Sequence, residues 1–139
     1  MLVKFYDAVE DYLLKFAVVV SKSNGKWVFC KHKERDTYEC PGGHRENGEN
    51  ISDTAKRELY EETGAIQFSM KPVCVYSVTS ADAETFGMLY FAEIFQFEEE
   101  LHSEIEKVEL FEDSPTKWTY PLIQPLLIKE VQRRGYDEI

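Results

Sequence analysis

Hydrophobic positions along the chain recur with two different periods. Leu13 to Ser21 (LLKFAVVVS) is β-branched and apolar, which predicts a central strand. Ser23-Asn24-Gly25-Lys26 follows, and Asn-Gly is a strong short-range hairpin signal. Trp27 to His32 then alternates as the returning partner strand. Residues 33–37 read as a charged loop, and Tyr38-Glu39-Cys40 as a short extended piece, because Pro41 disfavours the α region at Cys40. Gln67 to Thr79 and Phe86 to Phe97 predict two long strands joined by a polar loop over 80–85, the first with an edge or bulge near Pro72. Val108 to Phe111 predicts a short last strand after Glu104 and Glu106. Helical periodicity appears twice. Ala55 and Leu59 lie four apart in a helix expected to start at an Ser52 N-cap, with Asp53 in its first turn and Gly64 as its stop. Thr119 to Arg134 predicts a second helix, with Pro121 near its start, basic residues at its end, and Pro125 pushing the start later.

Strands flanked by two helices imply a layered α/β fold. The 139 residues fit one domain, 1–139, with no repeat or linker to divide them. Hydrophobic residues make up 43%, enough for a core. The longest apolar run, Phe16 to Val20, is strand-sized, and the N-terminal MLVKFYDAVEDY lacks a signal-peptide core, so a cytoplasmic protein without a membrane partner is expected. The formal net charge of −10 argues against nucleic-acid binding and against anionic membranes. It does not exclude a nucleotide, because divalent ions can bring phosphates to an acidic pocket. Cys30, Cys40 and Cys74 are odd in number and widely spaced, and read as reduced, mostly buried thiols. The oligomeric state is open, a homodimer being one option.

The chemistry concentrates between Gly43 and Ala65, GHRENGENISDTAKRELYEETGA. Glu61 and Glu62 stand three and four residues after Glu58, so all three carboxylates fall on one helical face. Clustered like charges weaken an isolated helix. Hard cations such as Mg²⁺ or Mn²⁺ take oxygen ligands and would neutralise the cluster, which points to metal-assisted chemistry on a phosphate compound. The Gly42-Gly43 pair before the helix is expected to supply backbone conformations closed to other residues.

These residues carry a resemblance. Gly43, Glu49, Arg57, Glu58, Leu59, Glu61, Glu62 and Gly64 fall in register on the Nudix hydrolase signature G-x5-E-x7-R-E-U-x-E-E-x-G-U, where U is a bulky aliphatic residue. Ala65 departs from the last position, with Ile66 next to it. The resemblance implies a Nudix α/β/α sandwich around a mixed sheet. It implies that Glu58, Glu61 and Glu62 ligate Mg²⁺ or Mn²⁺, with the backbone carbonyl of Gly42 as a further ligand. One glutamate acts as or orients the general base, Glu58 first and Glu61 second. Arg57 is expected to pair with Glu49 and lock the loop to the helix. A further ligand from outside the box is expected, Glu106 ahead of Glu104, with Glu84 another candidate.

Tyr38-Glu39-Cys40-Pro41-Gly42-Gly43 resembles the aromatic-x-x-Pro-Gly-Gly segment of MutT-type nucleoside triphosphate pyrophosphohydrolases. The implied reaction is Mg²⁺-dependent cleavage of a nucleoside triphosphate, with an oxidised purine such as 8-oxo-dGTP in view, to the monophosphate and pyrophosphate. Trp27, Tyr38, Trp118 and Tyr120 are candidates to stack a base; His32, Arg35, His44 and Arg45 are candidates for the phosphate tail. Arg35, Tyr38 and Trp118 are the substrate residues of choice. Other Nudix substrates remain as alternatives: ADP-ribose, dinucleoside polyphosphates or an RNA 5′-end, as does a non-catalytic nucleotide-binding regulator. The proline that marks ADP-ribose members some fifteen residues past the box is absent from Tyr76 to Asp82, and Pro72 comes too early. Tyr76 and Tyr90 flank rather than match the tyrosine of the dinucleoside polyphosphate branch.

Overall fold

The computed structural model describes residues 1–100 and 105–138. Seven strands form one mixed sheet: β1 (Leu2–Tyr6), β2 (Leu14–Ser23), β3 (Lys26–His32), β4 (Gly42–His44), β5 (Ala65–Ser80), β6 (Ala83–Phe97) and β7 (Ile105–Phe111). Their order is β1-β5-β6-β2-β3-β7, with β4 paired to β2. β2 runs parallel to β6, and the other pairs are antiparallel. Helix α1 (Ile51–Thr63) covers one face and α2 (Gln124–Arg133) the other. The result is the expected α/β/α sandwich.

The central run of β2 is buried on both sides because each face meets a helix layer. Ala17 and Val19 pack with Ala55 and Leu59 of α1, while Val18 and Val20 pack with Leu127 and Val131 of α2. That is why the strand reads as a continuous apolar run rather than an alternation. Asn24 and Gly25 both take positive φ, 54° and 76°, as a two-residue hairpin turn requires. β3 pairs with β2 at the turn end, Lys22 with Trp27 and Ser23 with Lys26. Further along, β4 takes over that edge of β2, Phe16–Val18 opposite His44–Gly42. The divergence of β3 from β2 opens the sheet where the Gly-rich segment enters.

Several boundaries differ from the sequence expectation. β1 was not anticipated. Its short run has the exposure of an edge strand, and pairing with β5 from Leu2↔Thr79 to Tyr6↔Val75 is what orders it. The loop at 80–85 contracts to a tight turn, with Ala81 at φ 54°. β7 begins at Ile105, so Glu106 lies within the strand. Residues 119–123 stay outside α2, and Pro125 sits in its first turn, where its missing N–H costs nothing. α1 is capped by Asn50 rather than Ser52: Asn50 Oδ1 accepts from the Asp53 N–H at 2.9 Å, and Ser52 Oγ donates to the same oxygen at 2.9 Å. Gly64 ends the helix in the left-handed region at φ 76°. All three cysteines are free and buried. Among the described residues, no helix is long and apolar enough to cross a membrane.

The cap assignment has a measurable consequence. Asn50→Ala should lower stability by about 1 kcal/mol, the usual worth of an N-cap side chain. Ser52→Ala should cost clearly less, since it leaves the cap bond in place. Urea midpoints of the two variants decide it, and equal losses would contradict the assignment.

Candidate active site

The site is built where α1 presses against β4. A Cβ on Gly43 would occupy the position of the Glu58 carboxylate, and a Cβ on Gly42 would lie 2.5 Å from the Ala17 carbonyl oxygen. Neither glycine has positive φ. The pair is required for close approach, not for the unusual backbone conformation expected from sequence.

Arg57 ties this junction together. Its Nε donates to Glu49 Oε2 at 2.8 Å and its Nη2 to Glu49 Oε1 at 3.1 Å, a bidentate pair. Nη2 also donates to the His44 carbonyl at 3.0 Å, joining the helix to β4. Nη1 reaches Glu58 Oε1 at 3.1 Å and Glu61 Oε2 at 3.5 Å. Glu49 further accepts from Thr54 Oγ1 at 2.7 Å and the Glu46 N–H at 3.1 Å. The Arg57 bonds, then those from Thr54 and Glu46, pull the Glu49 carboxyl down to about 2; the Arg57 guanidinium is held charged in turn.

Glu62 points the other way. Its Oε1 accepts from the Gly42 N–H at 2.7 Å, and its Oε2 lies 3.1 Å from His32 Nε2. His32 Nε2 is also 3.7 Å from Glu39 Oε1, which accepts from Arg35 Nη1 at 2.9 Å. Burial pushes Glu62 up to about 8; the Gly42 N–H opposes this, and the charges of Glu58 and Glu39 add to it. Burial likewise raises Glu58 to about 7, against the pull of Arg57 and with the repulsion of Glu61.

The three box glutamates therefore do not form a ready cage. Among the described residues no group of three or more His, Cys, Asp or Glu is arranged to hold a metal ion. Arg57 holds Glu58 and Glu61, while Gly42 and His32 hold Glu62. The donor set nonetheless fits a hard divalent cation. It consists of carboxylate oxygens on one helix face, two of which retain protons near neutrality because burial and mutual repulsion disfavour their charge. A bound cation would supply the missing counter-charge.

Other expected site residues are placed as follows. It is the amide of Gly42, not its carbonyl, that meets a box carboxylate. Glu106 lies on β7 and accepts from Lys31 Nζ at 2.6 Å, so its charge is already matched by a lysine. Glu84 accepts from Tyr6 and Ser77 hydroxyls at the β1–β5 side of the sheet. Glu104 lies outside the described residues. Arg45 is spent on the Asp11 carboxylate and on the backbone carbonyls of Asp11 and Glu49. Trp27 is buried with Lys22 over its ring. Tyr38 and Trp118, the expected substrate residues, are partly buried and pack against Phe111 and Phe29, with centroids 5.1 and 5.2 Å apart.

A cleft of about 440 Å³ adjoins the carboxylates. Glu62, Gly42 and Gly43 line it, Arg35, His32 and His44 contribute basic groups, and Phe16, Tyr76, Tyr120 and Leu127 contribute aromatic and apolar side chains. Its size is that of a small-molecule site. Of these, Gly42, Gly43, Glu62, Arg35, His32, His44 and Tyr120 were candidates from sequence. Phe16, Tyr76 and Gln124 were not, because each reads as ordinary strand or helix. Buried Glu39 carried one usable signal, Arg35 four residues before it.

The fold and site define a hydrolase class, and comparison with known proteins agrees. The NUDIX domain family matches residues 11–118. YtkD of Bacillus subtilis, whose name provisionally assigns it as an 8-oxo-dGTP diphosphatase, is 30% identical over 134 residues, covering 89% of this chain and 84% of that protein. The crystal structure of the Bacillus subtilis pyrophosphohydrolase BsRppH, solved as a glutamate-to-alanine variant, superposes with a TM-score of 0.80 at 26% identity, covering 98% of this chain and 93% of that one. A NUDIX hydrolase from Nitrosomonas europaea gives 0.70 at 20% identity over 86% and 89% of the two chains, a likeness of fold. The chain belongs to the Nudix family. It is a Nudix pyrophosphohydrolase, an enzyme acting on phosphoanhydride bonds.

Two outcomes test the site as described. Arg57→Ala and Glu49→Ala should each cut activity, and the double variant should be little worse than either single, because both remove one clasp. Additive losses in kcat/KM would show two independent roles. The second outcome concerns pH. Unfolded carboxyls lose their protons near 4.5, whereas Glu58 and Glu62 keep theirs toward about 7 and about 8. Between those values the native state binds more protons than the unfolded one, so stability falls as pH rises. With chelator present, Tm should decline from pH 5 to 8, and Mg²⁺ should flatten the decline. A chelated protein whose Tm is level through this window would contradict the assignment.

Proposed function

We propose that the enzyme cleaves a nucleoside triphosphate to the monophosphate and pyrophosphate, with purines preferred. The observation that supports this reading is the mixed lining of the cleft. It joins the box residue Glu62 and the basic groups Arg35, His32 and His44 to the apolar side chains Phe16, Tyr76 and Leu127. YtkD, provisionally named for 8-oxo-dGTP, adds support for an oxidised purine among the substrates.

In this reading Glu58, Glu61 and Glu62 hold Mg²⁺ or Mn²⁺. When bound, such an ion neutralises phosphate charge and lowers the pKa of water. Glu58 takes or orients the proton of the attacking water, its carboxyl drawn toward neutral pH as a general base requires. Glu61, half-exposed and only loosely held by Arg57, is free to turn inward. Gly43 leaves room for the Glu58 carboxylate, and the Arg57–Glu49 clasp holds the helix in place. Arg35 and His44 receive the phosphate tail. Tyr120, partly exposed at the cleft, stacks the base in place of Tyr38 and Trp118. Residues 1–139 act as one Nudix domain.

The test is a substrate panel with Mg²⁺: 8-oxo-dGTP, ordinary nucleoside triphosphates, a 5′-triphosphate RNA, ADP-ribose and diadenosine polyphosphates. Triphosphates should be hydrolysed best, with activity lost in chelator and restored by Mg²⁺ or Mn²⁺. Tyr120→Ala should raise KM severalfold for nucleoside triphosphates and leave KM for inorganic tripolyphosphate close to its starting value. ADP-ribose turnover well above every triphosphate would overturn the substrate assignment and leave the Nudix assignment standing.

A further inference from the structure

We propose that Gln124 selects the base, donating its side-chain amide to an oxo group and rejecting an amino group at the same position. The inference rests on reading the cleft as a nucleotide site. Gln124 opens α2, is 4% exposed, and lines the cleft beside Phe16, Tyr76 and Leu127. A carboxamide carries an acceptor at one end and donors at the other, and turning it over exchanges them. Here the orientation is set. The Cys40 N–H lies 2.8 Å from Oε1, and a main-chain N–H can only donate. The oxygen must therefore face the strand that leads into Pro41-Gly42-Gly43, and the NH₂ end is what Gln124 offers elsewhere.

That NH₂ group has no protein acceptor among the described residues. Nor is it sealed in: Ser21 Oγ is the one enclosed side-chain polar atom without a partner among them. The amide is thus reached from the cleft, a donor set in an apolar wall. An unmatched donor in such surroundings is costly. A 6-oxopurine brings an acceptor to it. A 6-aminopurine brings a second donor, and Gln124 cannot turn over to accommodate it without setting its own NH₂ against the Cys40 N–H. The amide lock converts a two-way side chain into a one-way reader.

Calorimetric binding of nucleoside monophosphates tests this without turnover. The wild type should bind GMP and IMP about tenfold or more tighter than AMP, the effect of leaving one buried hydrogen-bonding group unmatched. IMP lacks the 2-amino group, so agreement between GMP and IMP places the preference at position 6. Gln124→Glu keeps the Cys40 bond and the shape but replaces the donor with an acceptor, and should abolish or invert the ratio. Gln124→Met removes both ends and should abolish it; Tm of each variant reports folding. A wild-type ratio near one overturns the proposal even if neither variant folds. So does an equal loss for all three ligands, which would make Gln124 a brace for Cys40 alone. The two readings fail separately: oxo-selective binding without triphosphate hydrolysis sinks the substrate assignment, and triphosphate hydrolysis with equal GMP and AMP binding sinks this one.

Discussion

Everything at this site depends on how closely α1 approaches β4. The carboxylate of Glu58 occupies the space a side chain at residue 43 would fill, and the backbone of β2 excludes one at residue 42. With that space open, the helix can lay three contacts on the strand: Glu62 on the Gly42 amide, Arg57 on the His44 carbonyl, and Glu58 over Gly43. A larger residue at either glycine would push the acidic face away from the cleft. Leu59 and Ala55, fully buried against the sheet, fix the helix's rotation so that this face and no other points there.

The same closeness creates an electrostatic problem, which the fold answers with borrowed cations and amides. Burial disfavours charge on Glu58 and Glu62, and each also feels its neighbours. Arg57 and the Gly42 N–H offset part of that cost, and His32 lies within reach of Glu62. Arg57 is itself anchored by Glu49, so it remains where it is whether or not the carboxylates turn toward a metal. Repulsion stored in this way is what a bound divalent ion would relieve. The acidic excess of the chain, −10, acts in the same direction at long range on any anionic ligand.

The box and part of the cleft wall come from different stretches of the chain. The family match ends at residue 118. Tyr120, Ile123, Gln124 and Leu127, which line the cleft, all come after it. They meet the Gly-rich segment because α2 packs across the sheet face and Gln124 bonds Cys40.

The sequence alone determined the parts whose signal is local. The strand runs, the Asn24-Gly25 hairpin, the Gly64 stop and the register of the box glutamates all follow from short-range spacing, and the joint pattern of Gly43, Glu49, Arg57, Glu58, Glu61 and Glu62 was enough to identify the family. Tertiary structure decided the rest, because burial and partner choice are not written in spacing. β1 exists through its pairing with β5. Asn50 outcompetes Ser52 as cap because its oxygen meets the Asp53 amide. Tyr38 and Trp118 pack on the core edge against Phe111 and Phe29, whereas Phe16, Tyr76 and Gln124 line the cleft. An aromatic ring or an amide reads the same in a sequence in either place. Only the packing of α2 over the opened sheet separates a residue that holds the fold from one that faces a ligand.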